Sequence, residues 1–171
     1  MNWIANTLWE LMKPAPPQVT RIRAKPQAVR INGKQPSAMQ ERYDALVVEM
    51  KKTYGVKVRK WRKSSSGVAW MIRYHDGRTV NQIEAPYPRG PMSCAIFLHE
   101  IGHHAIGLGV HKPRCLEEYV VWMWALEQMR ARGFNVTEAV ERRVERSMRY
   151  AVAKAMRRGL QNLPESLRQF A

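Results

Sequence analysis

The sequence predicts an α+β domain, a small three-stranded antiparallel sheet packed on a helical bundle. Three short β-rich runs separated by turn signals lie between Val56 and Ala85. After them, apolar residues recur at helical spacing from Met92 to Arg158, broken only around glycine and proline. The 171 residues suffice for one core burying roughly two-thirds of the unfolded surface, with no need of covalent staples.

Residues 3 to 12 set Ile4, Leu8 and Leu11 on one helical stripe beside Trp3 and Trp9, and Pro14, Pro16 and Pro17 end that helix. Its polar face lacks the basic residues of interfacial helices, so docking on its own domain is expected. From Lys13 to Pro36 the chain carries Lys13, Arg21, Arg23, Lys25, Arg30 and Lys34, five prolines and no acid, the pattern of an extended basic arm. The expected division is therefore an amphipathic helix plus basic Pro-rich arm over 1–36 and one domain over 37–171.

Within that domain Met39, Tyr43, Leu46, Val47 and Met50 form a helical stripe that stops before Gly55. Strands are predicted over 56–62, 68–74 and 79–85, with turns at Ser64-Ser65-Ser66-Gly67 and Asp76-Gly77. The first strand bears Lys57, Arg59, Lys60, Arg62 and Lys63, which reads equally as a charged edge that resists aggregation or as a phosphate track. Helices are predicted over 92–107, 114–132 and 136–158, the last from a capping-box-like Asn135 and Glu138. Val140, Val144, Met148, Ala151 and Ala155 form one face of that helix, and Arg142, Arg143, Arg146, Arg149, Lys154 and Arg157 the other.

The 92–107 helix contains FLHEIGHHAIG, three of the chain's five histidines and a glutamate within an apolar run. Burying unpaired imidazole or carboxylate costs several kcal/mol, so a bound partner is expected there. His99 and His103, four apart, project from one face and can close two corners of a tetrahedron about Zn²⁺. Glu100 falls beside the open corner, where it can take a proton from attacking water and pass it to a leaving amine. Gly102 leaves room for another element. His104 points about 100° away from His103 and needs no metal. A plain core helix with hydrogen-bonded histidines is the competing reading.

His-Glu-x-x-His on a helix is the zinc-peptidase signature. The extended metzincin pattern, with glycine at 106 and histidine at 109, is absent: the chain has Ile106 and Gly109. Glu117 and Glu118 are the candidates for third ligand, early on a helix otherwise apolar nearly all round, where buried carboxylates need a counter-charge. Glu118 shares its face with small Ala125 and is preferred, with Glu117 as the alternative.

HEIGHHAIG followed by LEEYVVWMWALE resembles the gluzincin-type zinc metallopeptidases, in particular the compact ImmA/IrrE-like group and short phage- and prophage-encoded relatives. The resemblance spans about Ile83 to Gly159. It implies a zincin-like minimal metallopeptidase domain, His99 and His103 as zinc ligands, Glu100 as general base and Glu117 or Glu118 as third ligand. It also implies that the last strand, 79–85, lies along the cleft and pairs with an extended protein or peptide substrate. Tyr119, His104 and His111 are the candidates for stabilising the oxyanion. By analogy with that group, the expected substrate is a protein associated with nucleic acid.

Lysine and arginine total 29 against 14 acids, a formal charge of +15, which raises a polyanion as partner. Arg21, Arg23, Lys25 and Arg30 of the arm, with Arg142, Arg146, Arg149 and Arg157, are the candidate nucleic-acid contacts, directed at phosphate rather than bases. The alternative function is a nucleic-acid-binding or regulatory protein of a mobile element that keeps the fold with structural zinc or none. No run is long enough to span a membrane, the N-terminus lacks the features of a secretory signal, and Cys94 and Cys115 are expected to stay unbridged, so a cytoplasmic setting is expected.

Overall fold

The computed structural model describes residues 37–171. The helix expected over 3–12 and the arm with Arg21, Arg23, Lys25 and Arg30 lie outside the described residues. The architecture is α+β: helix α1 (Ala38–Thr53), strands β1 (Val56–Arg62), β2 (Val68–Arg73) and β3 (Thr79–Pro86), helices α2 (Pro91–Ile106), α3 (Arg114–Ala131) and α4 (Glu138–Arg157), and a closing 3-10 turn, Glu165–Phe170.

Ser37 caps α1 by accepting from Gln40 N–H at 3.2 Å, and the helix buries Tyr43, Leu46, Val47 and Met50. It stops at Tyr54, after which Gly55 takes φ 60°, a left-handed conformation suited to glycine. At the start of α4 the cap is Thr137, accepting from Val140 N–H, rather than Asn135. The expected Glu138 box partner is thus the first helical residue. The 3-10 turn has no counterpart in the sequence reading, because it is too short for a periodic signal; Leu167, fully buried, anchors it.

The sheet corrects the expectation of three antiparallel strands. Its order is β1-β3-β2, with β2 antiparallel to β3 and β1 parallel to it. The turn at Asp76-Gly77 does close a hairpin, with Gly77 at φ 84°. The Ser64–Gly67 stretch does not. The five residues between β1 and β2 reach across β3, two strand spacings or about 10 Å, which five extended residues cover readily. Burial explains the order: Ile83 and Ala85 of β3 are fully buried and take the centre, while β1, with its lysines and arginines, keeps to a wet edge. Arg59 and Arg62 both reach across to Glu84 of β3, at 3.4 and 3.0 Å. β3 therefore has neighbours on both sides and cannot pair with a substrate strand, contrary to expectation. Among the described residues, the open edges of the sheet belong to β1 and β2.

Every residue of α2 from Cys94 to His103 is buried, because the helix lies between the sheet and helices α3 and α4. Gly102 is where α3 comes closest: a Cβ there would stand 2.9 Å from Trp124 and 3.0 Å from Val121. Cys94 and Cys115 are free and buried. No helix among the described residues is long and apolar enough to cross a membrane.

Candidate metal centre

His99 and His103 rise from the buried face of α2, and Glu118 meets them from the first turns of α3. One ligand atom from each lies within 4.8 Å of the others. Nitrogen and oxygen ligands about 2.1 Å from a tetrahedral Zn²⁺ stand ~3.4 Å from one another. The Glu118 Oε2 atom is 3.3 Å from His99 Nε2 and 3.8 Å from His103 Nε2, so the donor set fits a small divalent ion. The two glutamates that the sequence left as alternatives part here. Glu117 turns to the far side of His103, taking the Nδ1–H at 3.1 Å and the Gly109 amide at 2.7 Å, and is 1 % exposed. A proton on Nδ1 leaves His103 Nε2 with its lone pair toward Glu118. His99 is held differently. Its ring stacks on Trp122 at 4.1 Å, and its Nδ1 is buried with no hydrogen-bond partner among the described residues.

Burial depresses both imidazoles: His99 is pushed down by desolvation against the pull of Glu118, and His103 falls to about 4, through desolvation and then the neighbouring His99. Glu118 drops to about 2 because its hydrogen bond and charge interactions with His99, together with His103 and Arg114, outweigh its own desolvation. At neutral pH both imidazoles are therefore uncharged and Glu118 is ionised, the charge states in which these groups ligate a metal.

Glu100 stands beside them, 5 % exposed, its carboxyl raised to about 8 by desolvation and then by Glu118. Gly67, at the entry to β2, lies directly over it; a Cβ there would fall 2.4 Å from Glu100 Cγ and Oε1. The loop carrying Gly67 is tied down from two sides. Arg62 Nη1 donates to Ser66 Oγ at 3.1 Å, and Arg143 Nη2 donates to the Ser65 carbonyl at 3.2 Å. Nothing in the serine-rich turn marks Gly67 as a contact of Glu100, because the pair is distant in sequence and follows no period.

The group opens on a cleft of about 1090 Å³ between that loop and α4. Helical spacing alone puts Arg143, Arg146 and Lys154 on one face of α4 with Arg142 and Arg149. The structure divides them: Arg143, Arg146 and Lys154 line the cleft, while Arg142 and Arg149 point outward and pair with Glu138 and Glu145 one turn earlier. The outer stripe is thus interleaved with acid, and Arg157 lies outside the cleft lining. Of the oxyanion candidates, His104 Nε2 donates to the Gln82 carbonyl at 3.1 Å and Tyr119 packs near Phe170, so neither faces the cleft, and His111 is absent from its lining.

Comparison of the chain with protein-family models, with curated proteins and with solved structures finds no match. The centre therefore rests on its own chemistry.

That chemistry has a pH signature in the metal-free protein. Folded Glu100 keeps its proton to about pH 8, whereas its ordinary value is 4.5, so the folded state holds the extra proton across that window and loses stability as pH rises through it. His99 and His103 act in the opposite sense, but only below their ordinary 6.5. Between pH 6.5 and 8 Glu100 dominates the centre, at ~1.4 kcal/mol per pH unit and about 2 kcal/mol in all. Urea unfolding of chelator-treated protein should show that loss, and Glu100→Gln should remove it; an equal loss in both proteins would contradict the buried, protonated carboxyl.

Proposed function

We propose that the chain is a zinc-dependent peptidase. The observation that carries this reading is the meeting of two imidazoles and a carboxylate at tetrahedral ligand spacing, on an open cleft, with a separate buried glutamate alongside. Zn²⁺ held by His99, His103 and Glu118 would supply Lewis acidity, polarising a scissile carbonyl and lowering the pKa of water toward 7. The remaining work falls to the protein. Glu100, drawn toward its ionised form by an adjacent cation, takes a proton from the attacking water and returns it to the departing amine. Glu117 fixes the orientation of His103, and Trp122 that of His99. Arg143, which lines the cleft and is anchored through Nη2 to the Ser65 carbonyl, brings positive charge toward the carbonyl oxygen on which negative charge develops. The open edge of β2 offers main-chain pairing to an extended peptide.

The test is cleavage of an unfolded polypeptide by the purified protein. Cleavage should stop on chelation and return with about one equivalent of Zn²⁺; cleavage indifferent to chelation, or none with zinc bound, would overturn the reading. Arg143→Ala should lower turnover ~10²–10³-fold, the loss typical of one oxyanion donor, at unchanged zinc content. Gly67→Ala should cost about 10²-fold through displacement of the Glu100 carboxylate, again with the metal retained. Zinc loss in either variant would mean that the residue supports the fold of the centre rather than its chemistry.

A further inference from the structure

The cations of α4 fall into two sets that differ in how they are neutralised. Arg142 and Arg149 have a glutamate one turn earlier and pair with it. Arg143, Arg146 and Lys154, followed by Arg158 just past the helix end, line the cleft, and none forms an ion pair among the described residues. Helical spacing makes this systematic: the positions four residues from Arg146 and Lys154 are Arg142, Tyr150 and Arg158, none of them an acid, so neither cation has a partner one turn away. The carboxylates facing them across the cleft are Glu100 and Glu118. A divalent ion at the centre offsets those two, and the stripe is left without a counter-charge.

The stripe begins beside the centre, since Arg143 lines the cleft together with His99 and Glu100 and holds the loop over Glu100 through the Ser65 carbonyl, and it ends at Arg158. Fifteen helical residues rise about 22 Å, the reach of roughly seven residues of extended peptide. Between the charges the wall is apolar at Ala151 and Ala155, with Leu160 just beyond them, as suits the stems and backbone of a peptide. A single-stranded nucleic acid would want aromatic platforms. The exposed aromatic ring on this wall is Tyr150, and Lys154 lies over it at 5.7 Å.

We infer that the cleft selects peptides carrying several aspartate or glutamate side chains within about seven residues on one side of the bond to be cut. This deepens the peptidase reading and rests on it for the word "cut", but the binding preference can be measured separately.

The experiment uses zinc-loaded Glu100→Gln and fluorescence anisotropy with three probes: a twelve-residue peptide bearing a run of glutamates, its glutamine counterpart, and a dT oligonucleotide of equal charge. At ~50 mM salt the acidic peptide should bind at least tenfold tighter than the glutamine one, and the gap should close near 0.5 M as exposed charges are screened. Arg146→Glu combined with Lys154→Glu should cut acidic-peptide affinity at least tenfold with zinc content unchanged. The same change of charge on the outer face, Arg142→Glu with Arg149→Glu, should cut it less than twofold. Equal binding of the two peptides, equal losses from the two double variants, or tighter binding of the oligonucleotide would each overturn the inference. If wild-type protein binds the acidic peptide in this way yet never cleaves it, the peptidase reading fails and the binding preference stands.

Discussion

Glu100→Gln should hold zinc as the wild type does and turn over peptide about 10³-fold more slowly. The carboxylate is not among the three converging donors, so the metal has no reason to leave. Glutamine fills the same space beneath Gly67, where a Cβ would already collide, so the loop over the site keeps its position. What disappears is a group able to take a proton and give it back, a contribution of ~10²–10⁴ in rate. A 10³-fold loss corresponds to about 4 kcal/mol of transition-state stabilisation. Single-turnover cleavage beside metal analysis of the same sample measures both halves. A variant that cleaves at the wild-type rate would remove Glu100 from the chemistry, and one that loses its zinc would make it a determinant of the metal site.

The second large effect separates two neighbouring glutamates. Glu118→Ala should abolish stoichiometric zinc binding at micromolar metal, because it removes one of three ligands and leaves the two depressed imidazoles alone. Glu117→Gln should weaken zinc ~10–100-fold and no further, the usual cost of losing the carboxylate behind a ligating imidazole. It should also destabilise the fold, since Glu117 is fully buried and holds both His103 and the Gly109 amide. Competition titrations against a zinc chelator give the two affinities, and the opposite ranking would exchange the roles of the two residues.

Much of this centre is legible in the sequence because it is local. His99, Glu100 and His103 sit within two turns of one helix, so spacing alone fixes their relative directions. The residues that share a face with each glutamate on the next helix favour Glu118 over Glu117, and the Glu118 side chain converges on the histidines. The failures are non-local. Strand order depends on which strand can tolerate burial on both sides, and a turn signal at Ser64–Gly67 says that the chain reverses, not which strand it will lie beside. Gly67 over Glu100, and Arg143 bonded to the Ser65 carbonyl at the wall of the cleft, arise from packing between distant segments. On α4 the arginines look alike until the glutamates one turn earlier are matched to individual partners, and only then do an outer, paired set and a cleft-facing set separate.

The most direct measurement is the metal content of protein purified without chelator, by mass spectrometry on the wild type and on His99→Ala. The account predicts close to one zinc per wild-type chain and far less in the variant; a fully folded wild type that carries no metal and takes up none from zinc-buffered solution would contradict it.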